Sequence, residues 1–241
     1  MSRSTKLTLD IVLGAVVPVL ILSYASRPLG SVAAYILAAL VPVAWVFIDL
    51  LFITRRFNAI TAFTGAGALV SGLLAFWFVD GALFALKDTA GIVLSLLIFA
   101  ITMLAGRPLI KYFVVQALDP DTPERAAALD ALIAERRVQR AFMAGTLVVV
   151  AVYAVLAVVN FYLNLNTVVA PFGSEEFNQQ VARVNAITRI AFPLPSIIAI
   201  SASIWLAYRA LYMLLPSEEG KSQFESNFWR LVELRDAGPN T

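Results

Sequence analysis

The chain has 241 residues, of which 60% are apolar and only 14% charged, with a mean hydropathy of +0.83; this composition excludes a water-soluble globule and makes the bilayer its solvent. Cysteine and histidine are both absent, which removes disulfides, thiolate chemistry, imidazole metal ligation, bis-histidine haem and the commonest general base. A net charge of +2 is too small to imply a nucleic-acid partner, and apolar runs without alternation exclude a transmembrane β-barrel.

Six runs approach the roughly 20 apolar residues that carry a helix across about 30 Å of hydrocarbon. They cover 9–26, 31–54, 58–79, 88–106, 139–164 and 186–215, and the innermost part of each holds no Asp, Glu, Lys or Arg. The sequence therefore predicts an all-α, polytopic transmembrane helix bundle of about six spans, a single membrane domain over 1–241. A cytoplasmic helical insertion is expected over 107–138 and an amphipathic tail over 217–241.

In the first run, Arg3 and Lys6 precede the apolar stretch and Ser23-Tyr24-Ala25 follows it, the layout of a signal peptide. The stretch is long enough to span, so it reads as a retained first helix. Pro18 and Pro42 interrupt spans one and two. Each removes an N–H donor and frees a carbonyl one turn earlier, which is either absorbed by packing or lines a site. Asp49 precedes Arg56 by two helical turns on one face, making either an interfacial anchor pair or a proton or ion site. Span three sets Thr64, Ala68 and Gly72 at four-residue spacing, a small-residue face that packs a helix of the same chain or of another.

Only Gly81 to Leu86 separate Asp80 from Lys87 and Asp88, which predicts a short re-entrant or interfacial turn on the outer side. Lys87 then either snorkels to water while Asp88 caps span four, or meets a ligand or lipid headgroup. In the insertion, Asp121-Thr122-Pro123-Glu124 starts a helix that runs over Ala126 to Arg140 with Leu129, Leu132 and Ile133 on one face. That helix is an interfacial connector or a docking element. Near the outer end of span five, Asn160, Tyr162, Asn164 and Asn166 form a polar cluster, which with Glu175, Glu176, Arg183, Asn185 and Arg189 makes an interfacial girdle or the wall of a vestibule. Pro193 and Pro195 mark span six, and the tail reads as a short amphipathic helix on the membrane surface.

Fourteen of the 18 Lys and Arg residues fall on one set of alternate loops, so the positive-inside rule predicts that both termini face the cytoplasm. No Gly-Lys-Ser or Gly-Lys-Thr phosphate loop and no Gly-x-Ser-x-Gly elbow occurs, and the spans supply no paired acids. The expectation is a protein without enzymatic activity and without a cofactor.

Arg55-Arg-Phe-Asn58, a glycine-bearing third span, Asp80, Lys87 and the run Gly106-Arg-Pro-Leu-Ile-Lys111 carry a resemblance to the intracellular septation protein A family and related uncharacterised small bacterial inner-membrane proteins. It covers roughly Leu9 to Phe113; the insertion and the last two spans depart from the shorter septation proteins. The resemblance implies a bacterial inner-membrane protein connected with envelope integrity or septation, and directs attention to Lys87, Asp80, Arg107 and Pro108. Two functions are therefore expected. The first is a non-enzymatic protein supporting the envelope through contacts with membrane lipids or other membrane proteins, including self-association through the Thr64, Ala68 and Gly72 face. The second is a small transporter or lipid flippase with its site among spans one to four, near Lys87, Pro18 and Pro42. Asp88 and Asp49 complete the candidate ligand or headgroup residues.

Overall fold

A computed structural model describes residues 3–55, 59–218, 220 and 223–237. It is 84% helical, with no strand among the described residues, so the all-α prediction holds. Five helical stretches are long and apolar enough to cross a membrane: Thr8–Leu29, Ser31–Ile53, Gly81–Leu104, Arg136–Thr167 and Glu175–Tyr212. Leu73, Leu104 and Ile190 are 72–81% exposed, which is costly in water and ordinary against lipid.

The helices in chain order are α1 (Arg3–Ile11), α2 (Val17–Leu20), α3 (Ser26–Leu29), α4 (Ser31–Ile48), α5 (Ala59–Ala75), α6 (Gly81–Leu104), α7 (Leu109–Leu118), α8 (Pro123–Ala134), α9 (Arg136–Thr167), α10 (Glu175–Ala191), α11 (Pro193–Tyr212) and α12 (Phe228–Asp236). Three differences from the sequence reading bear on function. The third expected span is the 17-residue α5, about 25 Å long at 1.5 Å per residue, and the chain is no longer helical beyond its end. Helix α6 begins at Gly81 rather than at 88, so Lys87 and Asp88 stand inside a helix instead of on a turn. The last stretch begins at Glu175 and breaks at Phe192, ahead of Pro193, into α10 and α11.

The chain divides into two compact units. The first comprises residues 1–97 and 152–196. Its opening span is not a uniform α-helix: wide π turns at Val12–Val16 and Ile21–Ala25 flank α2, which contains Pro18 and its missing N–H. Gly30, with φ +82°, turns the chain from α3 into α4. Helix α4 packs along α5, and α10 packs against the segments of the first span. Asn178 holds that contact, its amide donating to Ser26 Oγ and to the Ser31 carbonyl, both at 2.8 Å. The core gathers Leu22, Tyr35, Ala38, Phe84, Phe177 and Val181, with the rings of Phe84 and Phe177 edge to face at 5.0 Å. Gly72 lies against Val43, where an added Cβ would come within 3.2 Å of Cγ1. The small-residue face thus serves, at this position, a contact within the chain; the side chain of Thr64 lies outside the described residues.

The second unit comprises residues 98–151 and 197–241. Helix α6 ends in a Schellman motif: Arg107 N–H donates to the Thr102 carbonyl at 2.9 Å, Gly106 N–H to Met103 at 3.0 Å, and Gly106 takes φ +70°. Pro108 then stands as the N-cap residue of α7, a ten-residue helix inside the expected helical insertion, where the sequence reading names a helix start only at Asp121-Thr122-Pro123-Glu124. Helix α8 starts as read, with Thr122 Oγ accepting from Arg125 N–H at 3.2 Å and Leu129, Leu132 and Ile133 buried. It stops at Ala134, however, because Glu135 is extended, and Arg136, Arg137 and Arg140 belong to α9. The tail helix α12 buries Phe228, Leu231 and Val232 and docks on α7 and α8. Its Trp229 indole donates to the Leu118 carbonyl at 3.0 Å, and its Glu233 pairs with Arg125 at 3.1 Å. The Glu233 and Asp121 carboxylates push the Arg125 pKa still higher than an ordinary guanidinium's.

In this unit α9 and α11 meet at Gly145. Ser203 Oγ donates to the Gly145 carbonyl at 2.6 Å, and a Cβ on Gly145 would fall 3.0–3.1 Å from Ser203 Cβ, Cα and O. Because backbone atoms cannot yield, Gly145→Ala is expected to cost about 1–3 kcal/mol, read as a lower midpoint of thermal unfolding in detergent. Gly72→Ala faces only the Val43 side chain and should cost less. Leu231→Asp should detach α12, seen as faster proteolysis of the tail.

Candidate functional site

A cavity of about 410 Å³ lies within the first unit, at the small end of the roughly 300–1,000 Å³ typical of small-molecule sites. Helical spacing explains its walls. Tyr35, Ala38, Ala39, Pro42, Val43 and Val46 form one face of α4; Lys87 and Gly91, like Asp88 and Ile92, are four residues apart on α6; Asn185, Thr188 and Arg189 share a face of α10. Pro18 and Leu22 come from the first span, Ala68 and Ser71 from α5, and Asn160 from α9. The cavity therefore joins Lys87, Pro18 and Pro42, the three features that the transport expectation placed together.

Lys87 neither snorkels nor sits on a turn. It lies six residues into α6, about 9 Å along the helix, and is only 6% exposed. Its ammonium donates to the Trp77 carbonyl and stands 4.8 Å from the centre of the Tyr35 ring, whose face attracts a cation. Asp88 does not cap a helix. Its Oδ2 accepts from Asn160 Nδ2 at 3.1 Å and Asn164 Nδ2 at 2.8 Å, and Asn160 also donates to Thr89 Oγ1 at 3.1 Å. These amides supply the donors that a carboxylate needs where water is scarce.

Arg189 follows from the proline in the first span. Pro18 has no N–H for the carbonyl of Gly14, four residues before it, and the Arg189 guanidinium donates to that carbonyl. Arg189 also stands in the last turn of α10, where the helix dipole favours a cation. Among the described residues no carboxylate pairs with Lys87 or Arg189. The cavity thus presents two cations and one amide-bound carboxylate, with Tyr35, Phe84 and aliphatic side chains around them.

The other expected residues lie elsewhere. Asp80 precedes α6 and accepts from Phe172 N–H at 3.1 Å, tying down the segment before α10. Asp49 opens a π turn, Asp49–Thr54, and does not line the cavity; its expected partner Arg56 lies outside the described residues. Arg107 is exposed and Pro108 buried at the α6–α7 turn of the second unit, where the Gly-Arg-Pro run serves helix termination. Of the expected vestibule residues, Asn160, Asn185 and Arg189 line the cavity. Glu175 pairs with Arg27 at 2.8 Å, and Asn166 donates to the Tyr162 carbonyl at 2.7 Å. The sequence signal for Arg189 was the carbonyl that Pro18 frees one turn earlier, that of Gly14; nothing local to either segment joins the two.

Among the described residues no group of three or more His, Cys, Asp or Glu could hold a metal ion. The arrangement offers hydrogen-bond donors and positive charge to a guest that brings acceptors. Asn164→Leu should cost about 1.5–3 kcal/mol by removing a donor from a carboxylate. Adding Asp88→Leu to it should cost less than the sum of the two single changes, because the amide and the carboxylate stabilise each other. Thermal unfolding of the three variants in detergent measures the coupling, and strict additivity would show that the pair is not coupled.

No protein-family model, curated protein or solved structure matches the chain, so the chemistry of the cavity is read from its own residues.

Proposed function

We propose that this chain is a non-enzymatic, multi-pass protein of the bacterial inner membrane, with both termini in the cytoplasm, that binds a ligand in the cavity of its first unit as a small transporter or lipid-translocating protein does. The observation that carries this reading is the cavity itself, with Lys87, Arg189 and Asp88 in its walls among helices long and apolar enough to span. Ionisable groups in spanning segments are expensive, and they mark binding sites and pathways more often than packing. The breaks support it: Pro18 and Pro42 both line the cavity, and the α10–α11 discontinuity falls at Phe192, another lining residue. Interrupted helices near a midplane site are the recurrent architecture of secondary transporters.

The envelope-supporting reading keeps one observation in its favour. Lys87 and Arg189 each donate to a backbone carbonyl, as cations acting as internal staples would. The two readings separate on occupancy. Gly91 lines the cavity, and a Cβ there meets only Ser71 Oγ, at 3.6 Å, so Gly91→Leu fills the space with little backbone strain. Native mass spectrometry of protein released gently from its membrane should find a defined lipid or small molecule on the wild type that is absent from Gly91→Leu. Equal, mixed lipid on both forms would favour the envelope-supporting role.

A further inference from the structure

We infer that the cavity selects a guest with a single negative charge on an oxo-acid group, a phosphodiester or carboxylate, drawn by the two cations of its wall, Lys87 of α6 and Arg189 of α10. The inference rests on the ligand-binding reading above and narrows it to a class of guest.

Charge balance leads to it. Two cations face one carboxylate in the cavity walls, leaving one net positive charge that no other described acid offsets by pairing. A cationic guest is repelled and a neutral one leaves that charge uncompensated in a medium where charges interact strongly. A dianion would overshoot by as much as the empty cavity falls short; a monoanion neutralises it.

Donor capacity leads the same way. An ammonium has three N–H groups and a guanidinium five, and each cation here spends one on a backbone carbonyl. Those bonds orient the two side chains and leave the larger part of their capacity for a guest's oxygens. The Asp88 carboxylate, by contrast, is held by Asn160 and Asn164, which keeps it from collapsing onto the cations and closing the site. Asn185, one turn before Arg189 on the same face of α10, adds an amide to the lining.

The remaining walls specify the rest of the guest. Leu22, Val43, Val46, Phe84 and Ile92 are apolar, and about 410 Å³ admits a headgroup or a small organic acid. Charged groups set among apolar walls suit a guest that carries both an ionised group and hydrocarbon, which is the chemistry of an amphiphile.

The full-length protein in nanodiscs of phosphatidylcholine doped with phosphatidylglycerol, a monoanionic phosphodiester, tests the assignment by native mass spectrometry of the retained lipid. Wild type should retain phosphatidylglycerol in preference to phosphatidylcholine. Lys87→Met and Arg189→Gln should each weaken that preference roughly tenfold or more, the loss of one charge-assisted hydrogen bond. Lys87→Arg and Arg189→Lys, which keep the charge, should retain most of it and control for folding. In a second arm the deacylated headgroup, glycerophosphoglycerol, is added to phosphatidylcholine-only discs. Stabilisation of wild type alone would mean a soluble anion suffices, whereas selectivity confined to the lipid arm would assign the guest to the membrane; either supports the charge assignment. Equal retention of both lipids by wild type with no stabilisation by glycerophosphoglycerol, or undiminished preference in Lys87→Met and Arg189→Gln, would overturn it. If Gly91→Leu nevertheless displaces a neutral or zwitterionic molecule from wild type, the cavity still binds a ligand and only the charge assignment falls; if it displaces nothing, both fall.

Discussion

In a chain surrounded by hydrocarbon, a polar group needs its partner from the protein itself, and the first unit is organised around that requirement. Pro18 leaves the Gly14 carbonyl without its helical donor, and Arg189 reaches it from the far end of α10. The bond joins a residue of the first span to one 175 positions later, and it brings a guanidinium to the wall of a cavity. The same requirement acts on Asp88, which α6 carries within its second turn and which two asparagines of α9 supply with donors. Satisfying the orphaned groups of separate helices therefore collects polar side chains in one place, and those side chains are the site.

Packing supplies the space between them. Alanine at 38, 39 and 68 and glycine at 91 hold the cavity walls back, while the aromatic cluster of Tyr35, Phe84, Phe172 and Phe177 closes the unit beside it, with Tyr35 and Phe172 edge to face at 5.5 Å. Tyr35 belongs to both, since its ring faces the Lys87 ammonium. The second unit uses small residues in the opposite way: at Gly145 the absent Cβ lets two helices close until Ser203 bonds across them.

Motifs that look functional in one dimension are explained here by local backbone physics. The Gly-Arg-Pro-Leu-Ile run terminates α6 through a Schellman motif and begins α7 behind Pro108, so its residues meet conformational needs that any chain turning at this point would have. Asp80 likewise serves a backbone N–H. Lys87 also serves a backbone group, the Trp77 carbonyl, but it does so from inside α6 and in the wall of the cavity, and that place is the reason to ask what it binds.

Composition and hydropathy along the chain determined by themselves that the protein is an all-α bundle with several spanning helices, because the cost of exposing a peptide group to lipid is local and is met within each helix. The start of α8 was legible for the same reason, since Thr122 caps a residue three positions away. Only the tertiary structure decided that Asp88 meets Asn160 and Asn164, that Arg189 reaches the carbonyl freed by Pro18, and that Lys87 lines the same cavity. A helix apolar on every side has no stripe to orient it, so which of its few polar residues turn inward depends on partners from distant parts of the chain. The first helix boundary that mattered, Gly81 in place of residue 88, followed the same logic: Lys87 and Asp88 read as a loop until the Trp77 carbonyl and the amides of Asn160 and Asn164 satisfy them inside a helix.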